Sequence, residues 1–185
     1  MAKCWQGLCH LTIVVVCISL VACASRQPTR NPLGNDLPKK VYGASDRKII
    51  DLQRALNKRG IKVISIGQNY LVSIPSAYLF ADQSPRIRWG SYAVLNDVVD
   101  YLKQFRKVSV YVDAYTSPYL TAEREKALTL ARATKVGNYL RDQGIDSRFV
   151  FTQGHGSDKP IRRSKNGGDG SLNSRIEITF RREVA

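Results

Sequence analysis

The chain has 185 residues, long enough for one domain with a substantial core, and lysine plus arginine outnumber aspartate plus glutamate by 29 to 15, a formal net charge of +14. All four cysteines (Cys4, Cys9, Cys17 and Cys23) lie at or before residue 23. That distribution excludes a disulfide, a thiolate metal site or a thiol nucleophile from everything downstream, and His155 is the one histidine left there, so no metal site and no cofactor are expected.

The first element is a leader. Lys3 supplies a positive start, an apolar run extends from Leu11 to Ala22, and Leu20-Val21-Ala22-Cys23 places small residues before a thiol. This is the layout of a bacterial lipoprotein signal, which predicts cleavage after residue 22 and acylation of Cys23. The run is too short for a bilayer-spanning helix, which needs about 20 apolar residues. Several acyl chains on Cys23 would hold the protein far more firmly than one. Ala24 and Ser25 follow the cysteine where an aspartate would signal inner-membrane retention, so the outer membrane is the expected address, with the domain facing the periplasm. Loss of residues 1–22 removes only Lys3 among the charged groups. In such a compartment the positive charge meets lipid phosphates, wall carboxylates and acidic proteins, not nucleic acid.

Residues 23–44 are predicted to be a lipidated tether: Pro28, Asn31, Pro32, Gly34 and Pro38 interrupt any period. Extended, this length spans roughly 70 Å, and as a flexible coil it averages about 25 Å. The domain is expected over 45–185.

Ser45 is an N-cap for a helix from about Asp46 to Arg59, with Ile49, Leu52 and Leu56 on one face and Gly60 as its stop. Ile61–Ile66 and Tyr70–Ile74 read as a hairpin around a three-residue bulged loop, Gly67-Gln68-Asn69. Pro75 and Pro85 bracket a loop holding Tyr78, Leu79 and Phe80. A helix is predicted from about Ser91 to Phe105, then a strand alternating Val108, Val110 and Val112. A long helix should run from about Thr121 to Gln143, ended by Gly144. Two further strands, Arg148–Thr152 and Arg175–Phe180, flank a loop at Asn166-Gly167-Gly168-Asp169-Gly170. The class is α/β: helices on one mixed sheet, partly through βαβ crossovers.

One residue breaks the pattern. Counting 100° per residue puts Arg132 within the apolar stripe of Leu128, Ala131, Val136, Tyr139 and Leu140. Buried arginine requires an anion, from the protein or from a ligand, whereas an arginine at the rim would keep its head in water. Periodicity leaves both arrangements open.

Five landmarks in order, Val110 to Thr116, Leu128-Thr129-Leu130-Ala131-Arg132-Ala133, Gly144-Ile145, Gly154-His155-Gly156 with Pro160, and Asn173-Ser174-Arg175-Ile176-Glu177-Ile178, resemble the OmpA C-terminal-like domain, also found in peptidoglycan-associated lipoproteins. The resemblance covers Tyr70 to the C-terminus. It implies a βαβαββ sandwich, here with an extra N-terminal helix and hairpin, that holds the diaminopimelate of the peptidoglycan stem peptide without catalysis. It assigns Arg132 to the diaminopimelate carboxylate and implies that Ser117, Asn173 and Arg175 converge with it. Two positions depart from the family pattern: Ser117 follows Thr116 where an aspartate is usual, and Ser174 stands in place of the first of two arginines. The extra segment from Ser45 to Ile74 with the short basic layout also resembles lipoproteins of type IVB secretion machines, which implies secretion-system subunits as partners. The alternative reading is a structural subunit with a degenerate pocket that acts by protein docking, through its basic surface or aromatics such as Tyr78, Phe80, Trp89, Tyr115 and Tyr119. An enzyme is not expected, because no motif places a serine or carboxylate beside His155.

Overall fold

The computed structural model describes residues 45–145, 149–163 and 168–183. The predicted leader and tether, residues 1–22 and 23–44, lie outside the described residues, as does Cys23.

Chain order is α1 (Asp46–Lys58), β1 (Lys62–Ile66), β2 (Asn69–Pro75), a single turn α2 (Ser76–Leu79), a 3₁₀ turn (Trp89–Ser91), α3 (Tyr92–Leu102), β3 (Val110–Tyr115), α4 (Ala122–Asp142), β4 (Val150–Gly154) and β5 (Arg175–Arg181). From β2 onward the long elements follow the expected βαβαββ order, with α1 and β1 added in front. The five strands form one mixed sheet in the order β1-β2-β5-β3-β4. The last strand in sequence therefore lies at the centre, antiparallel to β2 and β3, while α4 carries the chain from β3 to its parallel neighbour β4.

Strand alternation divides the sheet into two faces. Val72, Ile74, Val110, Val112, Ala114, Ile176, Ile178 and Phe180 are buried, and they form one core with Leu95, Val98, Ala133, Val136 and Leu140 of the helices. The opposite face carries Ile64, Leu71, Thr179, Tyr111 and Phe151 in a single cross-strand row. In that row the Tyr111 and Phe151 rings stack 5.1 Å apart, both about half exposed.

Local chemistry explains the boundaries. The Ser45 hydroxyl accepts from the Lys48 N–H at 3.3 Å, capping α1. Helix α4 opens on Thr121, whose hydroxyl accepts from the Arg124 N–H, with Glu123 and Glu125 in its first turn. It closes with Gly144 at φ +86°: Gly144 N–H donates to Arg141 O and Ile145 N–H to Leu140 O, the paired bonds of a Schellman stop.

Several expected boundaries shift. The hairpin loop is shorter than predicted, since Asn69 pairs with Ile66 and leaves Gly67-Gln68 as a two-residue turn. The Pro75–Pro85 segment is not all loop, because Ser76–Leu79 makes one helical turn and Phe80 bridges Ile87. The third strand starts later than the valine pattern implies, at Val110; the fourth runs from Val150, the expected start at Arg148 lying outside the described residues, and the two stay in parallel register to Ala114 and Gly154. Helix α3 ends at Leu102, three residues early. There Lys107 Nζ donates to the carbonyls of Leu102 and Phe105, supplying the C-terminal charge that ends the helix.

Candidate functional site

Helix α4 buries a narrower face than its apolar stripe suggests. Glu125, Thr129, Arg132, Ala133, Val136, Gly137 and Leu140 are buried, while Leu128, Ala131 and Tyr139 are only half-buried and Lys135 is exposed. The helix sits unusually close to β4. A Cβ on Gly154 would collide with the Leu130 backbone nitrogen and lie 2.6 Å from its Cα, so only glycine permits this approach. The contact is reinforced by Thr129, whose hydroxyl donates to Glu125 O and accepts from the Gly156 N–H at 3.0 Å.

Arg132 is completely buried, which settles the question that periodicity leaves open: its head does not reach the rim. Its partner is a carboxylate of the protein. Nη1 and Nη2 donate to Oδ1 and Oδ2 of Asp169 at 2.6 and 2.7 Å, a bidentate fork, and Nε donates to Ser84 O at 3.0 Å. The Phe80 ring lies 5.0 Å from the guanidinium carbon. Asp169, itself 7% exposed, forms the outer member of the pair and also accepts from the Gln83 N–H at 2.8 Å. Burial acts to raise the Asp169 pKa. The Arg132 and Gln83 hydrogen bonds and the Arg132 charge outweigh it, and the group ends below the ordinary aspartate value.

Ser117 sits directly behind this pair. Its hydroxyl donates to Gly168 O at 3.3 Å, and its N–H donates to the Ser174 hydroxyl at 3.1 Å. Ser174 in turn donates to Gly168 O at 2.7 Å, and Thr116 Oγ1 lies 3.3 Å from Ser174 Oγ. The two serines that depart from the family pattern thus act together, fixing the residue next to Asp169. Across the site, Glu125 Oε1 accepts from the N–H groups of Tyr119 and Leu120, tying the 116–120 segment to the start of α4. Burial, then the Asp169 charge, pushes the Tyr119 phenol up, with Arg132 partly offsetting.

The expected convergence of Asn173 and Arg175 on Ser117 is not what the structure shows. The Asn173 side chain accepts from the N–H groups of Ile161 and Arg162 and donates to Arg162 O, so it holds a neighbouring loop. Arg175 alternates with core-facing Ile176 and so belongs to the sheet face away from α4. There it donates to Glu177 Oε1 at 2.6 Å and to Asn173 O at 3.0 Å, with its guanidinium 4.1 Å from the Tyr115 ring centroid. Arg132 and Ser117 are linked through Asp169 and its neighbour Gly168, whereas Asn173 and Arg175 hold neighbouring backbone.

The aromatics also separate. Phe80 and Tyr115 are buried, so they offer no docking surface, whereas Tyr78 is half exposed and Trp89 is 91% exposed. His155 does have a carboxylate beside it: Nε2 lies 2.8 Å from Asp113 Oδ1, and the imidazole stacks on Tyr115. The parallel register of Asp113 with Gln153 produces this contact, which no local motif signals.

A two-layer domain of this topology, with a buried helix arginine facing a serine-lined strand end, is the OmpA type of α/β domain. The OmpA family model matches residues 79–174, more than half of the chain, and the chain belongs to that family. It is 28% identical over 129 residues to the probable lipoprotein YiaD of Escherichia coli, covering 70% of this chain and 59% of that protein. It is 24% identical over 106 residues to the peptidoglycan-associated lipoprotein of Mesorhizobium japonicum, covering 57% and 63%. The chain thus spans about three fifths of the length of these relatives. Among solved structures it resembles the cell wall anchor of the type VI secretion system from Pseudomonas aeruginosa, with TM-score 0.61 and 23% identity over 73% of this chain and 97% of that one. The periplasmic domain of Helicobacter pylori MotB is similar at TM-score 0.58 and 21% identity, covering 68% and 83%. Among the described residues no helix is long and apolar enough to cross a membrane.

Proposed function

We propose that this protein is a non-catalytic lipoprotein of the outer membrane whose OmpA-family domain faces the periplasm and binds the diaminopimelate of peptidoglycan, anchoring an envelope complex to the wall. The observation that carries the reading is the Arg132 fork. A fully buried guanidinium clamps a carboxylate in the bidentate geometry that the free carboxylate of a stem peptide would take. Arg132 is the ligand-contacting residue and Ser117 the wall beside it. Asn173 and Arg175 serve by holding the loops. A relative named for peptidoglycan association and a structural neighbour named as a cell wall anchor support the same direction.

Acylation of Cys23, a tether over residues 23–44 and a place in a type IVB secretion machine complete the proposal. The lipid has its own test: Cys23→Ser should abolish labelling by a fatty-acid analogue, and persistent labelling would refute it.

A second reading, docking to another subunit, is favoured by one observation. The sheet face opposite the helices leaves Ile64, Tyr111 and Phe151 about half exposed in one row. Co-sedimentation of the full-length protein with isolated sacculi, for wild type, Arg132→Ala and Ser117→Asp, separates the two. Wild-type pelleting that disappears with Arg132→Ala supports the anchor. Wild type left in the supernatant supports docking, the more so if Ser117→Asp pellets, and pelleting that salt abolishes in all three indicates charge attraction alone.

A further inference from the structure

We infer that Asp169 is the ammonium acceptor of the site and makes it selective for a zwitterionic centre, one carbon bearing both a free ammonium and a free carboxylate. This deepens the peptidoglycan reading and rests on it.

The argument starts from what can open the Arg132–Asp169 pair. Each of the three guanidinium nitrogens of Arg132 already donates, two to the Asp169 oxygens and one to Ser84 O, and its side chain has no exposed surface. Any ligand must therefore displace Asp169, and the charge left behind decides which ligands succeed. A simple carboxylate would take Arg132 and strand Asp169. A simple amine would take Asp169 and strand Arg132. Either leaves an uncompensated charge in a buried site, which is strongly unfavourable. A zwitterionic centre exchanges one internal ion pair for two, carboxylate on Arg132 and ammonium on Asp169, and strands nothing.

The carboxylate absent at position 117 thus arrives from a different loop. Ser117 and Ser174 hold Gly168 in place so that the next residue reaches Arg132.

The test is calorimetric titration of the full-length protein in detergent with the tripeptide L-Ala-γ-D-Glu-meso-diaminopimelate. Two modified forms accompany it: one acetylated on the free amine, which keeps the carboxylate, and one amidated on the adjoining carboxylate, which keeps the ammonium. Wild type should lose at least tenfold in affinity with either modification. Asp169→Asn should lose at least tenfold for the parent peptide and become indifferent to acetylation. Because Asp169→Asn disturbs a buried pair, its folding is checked by circular dichroism, and the wild-type discrimination decides the matter even where that variant does not fold. Acetylated peptide that binds wild type as well as the parent overturns the assignment, as does tighter binding of the parent by Asp169→Asn, which would make Asp169 a plug. If the tripeptides bind with the expected pattern while sacculi do not pellet the protein, wall anchoring fails and the role of Asp169 stands. Loss of all tripeptide binding removes both.

Discussion

Ser117 and Ser174, 57 residues apart in sequence, direct their hydroxyls to the same acceptor, the carbonyl oxygen of Gly168, at 3.3 and 2.7 Å. This shared bond places Asp169 over Arg132.

Ser174→Ala should therefore act on the loop before it acts on the core. It removes the donor to Gly168 O and the acceptor for the Ser117 N–H in a fully buried position. The expected loss is about 1–3 kcal/mol, the usual cost of leaving buried polar groups unpaired. Urea unfolding of Ser174→Ala against Ser174→Thr, which keeps the hydroxyl, measures it.

The Arg132–Asp169 pair should show strong non-additivity. Arg132→Met leaves Asp169 without its counter-ion and should cost about 3–5 kcal/mol, while the double change with Asp169→Leu should recover much of that loss. A double-mutant cycle by chemical denaturation reads the coupling directly. Simple additivity would mean that the pair is not the unit of stability at this site.

Acid should weaken the fold through the same residues. Burial raises the pKa of both Asp169 and Glu125, but hydrogen bonds outweigh it and leave each below its ordinary value of 3.8 or 4.5: Arg132 and Gln83 for Asp169, Ser157, Tyr119 and Leu120 for Glu125. The unfolded chain then takes up protons first as pH falls. The stabilisation is complete above those ordinary values and is lost as pH drops through the lower folded ones. Unfolding free energy followed from pH 6 downward should decline more gently in Asp169→Asn than in wild type.

Lys107 predicts a slope of the same sign in base. Burial first, and the neighbouring Lys103 charge second, lower its pKa to about 8 from 10.5. Between those values the unfolded chain holds the extra proton, so the lysine's contribution to stability rises with pH. Lys107→Met should remove that rise, as measured by unfolding at pH 7.5 and pH 10.

How much of this was legible in the sequence follows from the range of the interactions. Helix α4, its Thr121 cap, its Gly144 stop and the misplaced Arg132 are local patterns, and all four appear in the structure. The anion that Arg132 demands was legible as a requirement, but its source was not. Asp169 sits in a glycine-rich run that reads only as loop, and it pairs with a residue 37 positions away. The placement of Arg175 is illegible for a similar reason. Its motif position is local, but the sheet face it occupies follows from the register of β5 between β2 and β3. The Asp113–His155 contact depends on the parallel pairing of β3 with β4, which strand patterns do not specify.

The most direct test of the account watches the fork itself. In an NMR titration of the ¹⁵N,¹³C-labelled protein with the diaminopimelate tripeptide, the Arg132 Nε–H resonance and the Asp169 carboxyl carbon should shift together and saturate at one equivalent. Shifts confined to exposed basic residues, with both of these signals unmoved at saturation, would contradict it.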